Sequence, residues 1–585
     1  MYLKSCIKKE YIYRRTLLEI VEKEQHGDLI DTILINGGVE NLEKFKNIDK
    51  SEVKKTDPLK IDRMQESVEL LKQHINKKSS IGILIDGDAD GFTSAAMMYR
   101  YLKQLGVRAT LISSSHKNHG LKGMTEEILN SGIDLLIIPD AGSNDSELQD
   151  ELIHQYDIDI IIIDHHDIDN KEVAKQADAV IVNSQLNNMN HNFTGSGMTL
   201  LFIKAAEKLA YPLVKPDNVI LTLSAIGQVA DVSDVSDLEV RSYQSKGLRE
   251  SYSSLLSEYI TNDAPISSHD LSFGIIPHLN AVARIGGHGQ RIEVVKALAN
   301  DFPCDEVPVE KRRKNKKTGK FEVRTEMWSP YRIIVDKMTK TKTKQTKLVN
   351  EAISSEDKLL IKTPTLHVLV LKDKKYKPIT GLIANTISGE NDVACLVLVE
   401  QDKLSGSGRG CDKLFEDFKK LLLDNHLVDF AQGHANAFGV EIKREKLDYL
   451  IEFFKQVTRE SNAYVVDKLY DMNSINKTDI DTILDNQTLF GGNVEQPLLG
   501  FKNIEVNKTS IRTRGKVLNF SSGGINFIAF NGQKYDIKPN FGNSVTFNII
   551  GEAMRSSWGN MSQVVIRDLE QVQKKSVDNG LGFVF

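Results

Sequence analysis

Three short apolar runs in the first third of this 585-residue chain each end on acidic residues, and that recurrence constrains the fold more than any other feature. The run 81–85 leads into Asp86-Gly87-Asp88-Ala89-Asp90-Gly91, the run 135–138 into Pro139-Asp140, and the run 158–163 into Asp164-His165-His166. Each has the length of a buried strand, and the segments near 93–105 and 125–131 have helical spacing. Further strands are expected at 109–113 and 179–182. Strands alternating with helices build a parallel sheet covered on both faces. In such open sheets, ligands gather outside the carboxyl ends of the strands. One Asp after a strand is ordinarily a turn residue or a helix cap. Three such ends, one of them carrying a His pair, call for another explanation.

Carboxylates and imidazoles gathered at buried strand ends are unfavourable unless a cation neutralises them. Asp86, Asp88 and Asp90 alternate, so an extended segment would point all three one way. Carboxylate oxygen suits Mg²⁺ or Mn²⁺, and imidazole from His165 or His166 moves the preference towards Mn²⁺. Asp140 is expected to bridge, with Asp231 distal, after a helix at 217–229. The expected metal ligands are thus Asp86, Asp88, Asp90, Asp140, His165 and Asp231, holding two divalent cations, with His166 joining them in the catalytic group. Two such ions about 3.5–4 Å apart activate water and stabilise charge on a scissile phosphate, which makes the set that of a two-metal hydrolase. A structural calcium site is the blander alternative, but the twelve-residue EF-hand ligand pattern is absent.

A chain this long exceeds one hydrophobic core, so several domains are expected. Residues 1–78 read as a helical N-terminal lead-in and 79–300 as the domain bearing the acidic motifs. Residues 301–360 read as a basic insertion with a connecting helix (331–353), 361–460 as a smaller α/β domain, and 461–585 as a small barrel of closely spaced strands. The net charge of -5 does not announce a nucleic-acid binder. Its distribution is uneven, because 310–347 holds fourteen Lys and Arg against four Asp and Glu. Four cysteines without a CxxC pair exclude a disulfide scaffold and a thiolate zinc site, and suit a reducing compartment. No apolar signal core or bilayer-length apolar stretch is evident, so a cytoplasmic protein without membrane contact is expected.

These motifs resemble the DHH phosphoesterase superfamily, specifically the RecJ-type single-strand DNA exonucleases. Asp86–Gly91 matches the first motif, Asp140 the second, Asp164-His165-His166 the third and Asp231 the fourth. Asn280-Ala281-Val282-Ala283-Arg284 is similar to the family's Asn-Ala-Ala-Gly-Arg segment. Gly406-Ser407-Gly408-Arg409 and Gly433-His434-Ala435 resemble signatures of the DHH-associated domain, and the tail around Trp558-Gly559-Asn560 resembles an oligonucleotide-binding barrel. Leu84 stands where the family often has His, Ala283 replaces a Gly, and Gln432 replaces the first Gly of Gly-Gly-His.

The resemblance implies metal-dependent 5′-to-3′ hydrolysis of single-stranded DNA to mononucleotides, in a repair or recombination setting. Asn280, Arg284, Ser407, Arg409 and His434 are then expected to bind DNA and its 5′-phosphate, for which arginine forks and glycine-flanked turns are suited. A monomer is expected, with a single-strand-binding protein as a possible partner. Two rival readings remain open: a DHH phosphodiesterase of short oligonucleotides or cyclic dinucleotides, and a non-catalytic RecJ-like replication scaffold. His116, Lys117, Asn118 and His119 line either a nucleotide channel or a solvated loop. The basic run 311–317 either attracts phosphate or is solvated. Phe520, Phe527 and Phe530 are expected to be core more readily than base-stacking platforms.

Overall fold

The structure, a computed structural model, describes residues 19–114, 119–186, 190–249, 253–260, 265–314, 321–411, 414–457, 463–535, 537, 543–556 and 561–572. His116, Lys117, Asn118 and Trp558-Gly559-Asn560 lie outside the described residues. The chain divides into two compact units. The larger is Glu43–Arg459 with Gly491–Asn493; the smaller joins the described residues up to Leu42 to those after Arg459.

In the larger unit β1 (Ile81–Leu84), β2 (Thr110–Ile112), β3 (Leu135–Pro139), β4 (Asp159–Asp164) and β5 (Val180–Asn183) form a wholly parallel sheet in the order β2-β1-β3-β4-β5. Burial on both faces explains their nearly continuous Ile, Leu and Val. Ile83, Ile137, Ile161 and Ile163 pack under α1 (Ala89–Gln104), α2 (Gly195–Leu209) and α3 (Asn218–Ala230), against Phe92, Met98, Phe202 and Ile226. Their neighbours Leu84, Leu136, Ile138, Ile160 and Ile162 fill the opposite layer. Truncating a fully buried isoleucine such as Ile162 removes about 2–5 kcal/mol. Because β1 lies between β2 and β3, the connections leave it in opposite directions and open a crevice at the strands' carboxyl ends.

Further along, α4 (Ile275–Ile285) leads to the basic insertion, which carries a strand pair ahead of its connecting helix. Its first part is an antiparallel hairpin of β6 (Val307–Lys314) and β7 (Phe321–Trp328), with Lys311 opposite Arg324. Alternating Val307, Val309, Val323 and Thr325 supply the strand preference beneath the charges. The helix α5 (Pro330–Ser354) follows, with Pro at its first position and the Ser329 hydroxyl accepting from the Arg332 N–H.

A second sheet comprises β8 (Lys358–Lys362), β9 (Leu366–Leu371), β10 (Ala394–Glu400), β11 (Leu404–Arg409), β12 (Phe430–His434) and β13 (Ala437–Ile442). Its order is β12-β13-β11-β10-β9-β8, and only β9 and β10 run parallel. The α6 helix (Thr380–Asn391) packs against β10 and β11.

In the smaller unit Ile20–Glu22 pairs in parallel with Tyr464–Val466. The segment 1–78 is therefore not one lead-in: Ile20 is buried with Val466 and Ile550, which draws the described residues up to Leu42 into this unit. A seven-stranded, mostly antiparallel sheet completes the unit and is compatible with an OB-like domain. Phe520 and Phe527 are fully buried and stack within its core, whereas Phe530 is exposed. The architecture is thus α/β, with a parallel-sheet domain, a smaller α/β sheet and a C-terminal β domain. No helix among the described residues is long and apolar enough to cross a membrane.

Candidate active site

The acidic strand ends converge in the crevice of the parallel sheet, by a route other than the extended alternation expected for Asp86, Asp88 and Asp90. The chain turns into α1 immediately after β1. Asp88 is the helix cap, accepting from the Gly91 N–H at 3.0 Å, and Asp90 lies in the first turn. Capping a helix satisfies an otherwise orphaned N–H, which an extended segment would not. Asp86 accepts from the Gly120 N–H at 3.0 Å, and its other oxygen lies 3.1 Å from His119 Nδ1. Both Asp90 oxygens accept from the Ser196 N–H at the start of α2, at 3.2 and 3.3 Å.

Asp140 follows β3 with φ +73°, a left-handed conformation uncommon outside glycine, and its N–H donates to the Ile163 carbonyl at 2.7 Å. Two glycines make room for these carboxylates. A Cβ at Gly195 would lie 2.2 Å from Asp140 Oδ1, and one at Gly227 would lie 2.0 Å from Asp90 Oδ1. Asp231 ends α3. His165 Nε2 stands 3.2 Å from Asp140 Oδ1 and 3.6 Å from Asp231 Oδ2. Asp164 accepts from the backbone N–H groups of Ser143, His165 and His166, and lies 2.8 Å from His166 Nδ1.

Overlapping donor sets result, each with ligand atoms within 4.8 Å of one another: Asp86, Asp88 and Asp140; Asp90, His165 and Asp231; and Asp140, Asp164, His165 and His166. Burial, then the charges of Asp90, Asp88, Asp86 and Asp231, push the Asp140 carboxyl well above the usual range. Burial and the neighbouring aspartates likewise raise Asp231 to about 8, and burial raises Asp90 to about 6 against the opposing Ser196 hydrogen bonds. Among the described residues, Asp140 Oδ1 is buried without a hydrogen-bond partner. Crowded carboxylates, an orphaned oxygen and adjacent imidazole nitrogens are the chemistry of a divalent-cation site, and the residues present fit one.

The imidazoles differ. Burial and the nearby His166 charge lower His165 to about 4, leaving it neutral and able to ligate. Burial opposes the charge on His166, but the hydrogen bond to Asp164 prevails and raises it to about 10. The same pairing holds Asp164 well below the carboxylate range despite its burial.

Arg284 faces the crevice from α4. Burial lowers its pKa, the charge of Asp88 acts in the opposite sense, and Arg409 adds to the lowering. Burial lowers Arg409 as well. On α5, burial and the Arg284 charge lower Lys342. Among the described residues no carboxylate pairs with either guanidinium. Ser407 Oγ lies 2.9 Å from Thr380 Oγ1, and a Cβ at Gly381 would lie 3.1 Å from Arg409 Nη2. Arg284 from α4 and Ser407 and Arg409 from β11 therefore form a cationic cleft. Asn280 lies one helical turn before Arg284. His434, exposed on β12, is not brought to this group by any described contact.

Residues 80–228 match the DHH family, N-terminal domain. Over 593 aligned residues the chain is 30% identical to a protein of Bacillus subtilis strain 168 named as an SPbeta prophage-derived single-strand DNA-specific exonuclease, YorK, covering 95% of this chain and 98% of that one. The chain belongs to the DHH family. The single-stranded-DNA-specific exonuclease RecJ of B. subtilis is 24% identical over 548 residues, 88% of this DHH chain and 64% of RecJ. The crystal structure of Thermus thermophilus RecJ in complex with Mn²⁺ shares the fold, with a TM-score of 0.67 at 16% identity over 93% of this chain and 76% of that one.

Within this DHH site, sequence reading left out Asp164 as a functional residue, although it accepts from the backbone N–H of both histidines and holds the His166 ring. It also left out Ser196, Gly195 and Gly227, whose role is to meet carboxylates from distant segments and has no local signal. His119 was read only as part of a channel or loop. The sharper signal was Leu84, since an imidazole lacking from β1 is supplied beside Asp86 from another loop.

Proposed function

We propose that this chain is a metal-dependent exonuclease that degrades single-stranded DNA from its 5′ end to mononucleotides, in repair or recombination. The observation that carries this reading is the crowding of Asp90, Asp140 and Asp231, whose burial and mutual repulsion call for cationic neutralisation. Two divalent cations, Mn²⁺ in preference to Mg²⁺, would be held by Asp86, Asp88, Asp90, Asp140, His165 and Asp231. When bound, they supply an activated water and neutralise charge on the scissile phosphate.

The chain's own residues supply the rest. Neutral His165 presents Nε2 towards Asp140 and Asp231. Asp164 fixes His166 through Nδ1, so its ring direction is set before substrate arrives. Arg284 and Arg409, half-buried and without a carboxylate partner among the described residues, receive the anionic end of the strand, with Ser407 donating beside them. Asn280 orients the substrate next to Arg284. A grip on a terminal phosphate sets polarity and confines cutting to chain ends. The names of YorK and RecJ as single-strand-specific exonucleases support the substrate.

The test is hydrolysis of a 5′-phosphorylated single-stranded oligonucleotide labelled at its 3′ end, in Mn²⁺. A descending ladder of labelled fragments, abolished by chelator, is expected. An intact strand together with hydrolysis of dinucleotides would replace this reading with a short-substrate phosphodiesterase.

A further inference from the structure

The hairpin of β6 and β7 takes no part in the site above, yet its two faces differ sharply. Directly opposed residues share a face in an antiparallel pair. On one face Trp328 is buried, with Lys311 Nζ 4.0 Å and the Arg332 guanidinium 4.4 Å from its ring. Lys311 also pairs with Asp336 of α5 at 2.9 Å, and Trp328 Nε1 donates to Glu326 at 3.0 Å. These contacts fasten the hairpin to the helix.

The other face carries Met327, Val323 and Phe321, with relative exposures of 52%, 64% and 59%. Arg312 stands opposite Val323, its guanidinium 4.8 Å from the centroid of Phe321. A fastened strand pair holding an apolar and aromatic row to solvent beside a cation, within a stretch of fourteen basic and four acidic residues, is unfavourable for an isolated surface. It suits a polyanion that also carries flat apolar groups. Nucleobases stack on exposed aromatics whatever their identity, and arginine beside such a ring contacts the adjoining phosphate.

We propose that the outward face of this hairpin is a second binding site for single-stranded nucleic acid, with bases resting on Phe321 and Val323 and the backbone held by Arg312. It rests on the reading of the chain as acting on polymeric strands, and deepens it by giving long strands a contact that short ones cannot use.

The test compares the wild type with Phe321→Ala, Val323→Ser and Arg312→Ala, with Ca²⁺ replacing Mn²⁺ to hold cleavage. Fluorescence anisotropy follows 5′-phosphorylated single strands of six and of forty nucleotides. Phe321→Ala is expected to raise the Kd for the long strand about tenfold and leave the short one unchanged. Arg312→Ala is expected to reduce the salt dependence of long-strand binding by about one ion. Exposed side chains are replaced, so circular dichroism should report intact folding, and Val323→Ser provides an independent reading if one variant fails.

Equal long-strand affinity across folded variants would overturn the proposal. So would an equal loss for blunt duplex, which offers no free bases, or a wild-type dimer that the variants convert to monomer, which would make the face a self-association surface. Hairpin-dependent binding by a protein that hydrolyses no DNA would instead overturn the exonuclease reading and leave this site standing.

Discussion

The carboxylate centre at the ends of β1 and β3 and the guanidinium cleft between α4 and β11 are opposite answers to one problem. Each crowds charge of mainly one sign into a poorly solvated place, in excess of the counter-charge the chain supplies. The aspartates answer by taking up protons, Asp231 with a pKa near 8 and Asp90 near 6. The arginines cannot do so at ordinary pH and stay charged. The acidic region therefore has two occupants, proton or metal, and responds to pH and cation concentration. The basic region has one kind of occupant, an anion, and responds to substrate. Both sides of the site are held in readiness by ligands the protein must acquire.

Replacing Asp140 with Asn breaks this comparison most severely. Hydrolysis should fall about a thousandfold or more while strand binding persists, since the residue belongs to two of the three donor sets. The same variant should melt a few degrees higher than the wild type in chelator, because folding no longer has to protonate a buried, repelled carboxyl. A lower melting temperature in chelator would mean that Asp140 serves the fold. Next in size is the grip on the strand end. Arg284→Ala should lose about tenfold to a hundredfold of the preference for 5′-phosphate over 5′-hydroxyl ends, read as kcat/KM on the two substrates.

The pH response of the metal-free protein comes third. Asp90 and Asp231 have folded-state pKa values above their unfolded ones, so their protonation favours the fold fully below about pH 4. That contribution disappears as pH rises through about 6 and then about 8. The melting temperature in chelator should fall from pH 5 to pH 9. Mn²⁺ should remove most of that slope and release protons on binding, which titration calorimetry in buffers of different ionisation enthalpy measures. The smallest effect is expected for His434→Ala, below about threefold on kcat/KM, because exposed His434 has no described contact with Arg284 or Arg409. A loss matching that of Arg409→Ala would move His434 into the cleft.

Much of the larger unit was legible in the sequence because the parallel strands are uniformly apolar and their acidic ends coincide with a topological rule. What was not legible is instructive. The spacing of Asp86, Asp88 and Asp90 fits a strand and a helix start equally well, and the helix prevailed because Asp88 caps it. The hairpin was obscured by its charges, which mask the alternation of Val307, Val309 and Val323. Asp164, Ser196 and Gly227 act on partners far along the chain, and a single sequence carries no trace of such pairings. His434 shows the converse, a residue singled out by its motif that the described contacts leave apart.

The pairing of Ile20–Glu22 with Tyr464–Val466 has a consequence for biosynthesis. The larger unit is almost one unbroken stretch of chain and can begin to fold while the ribosome is still extending it. The smaller unit cannot, because its first strand is made early and its partner comes more than four hundred residues later. Closing so long a loop adds only modest entropy to that already required by a short one, but it fixes the order of events. The strand Ile20–Glu22 therefore waits unpaired until Tyr464–Val466 has been synthesised.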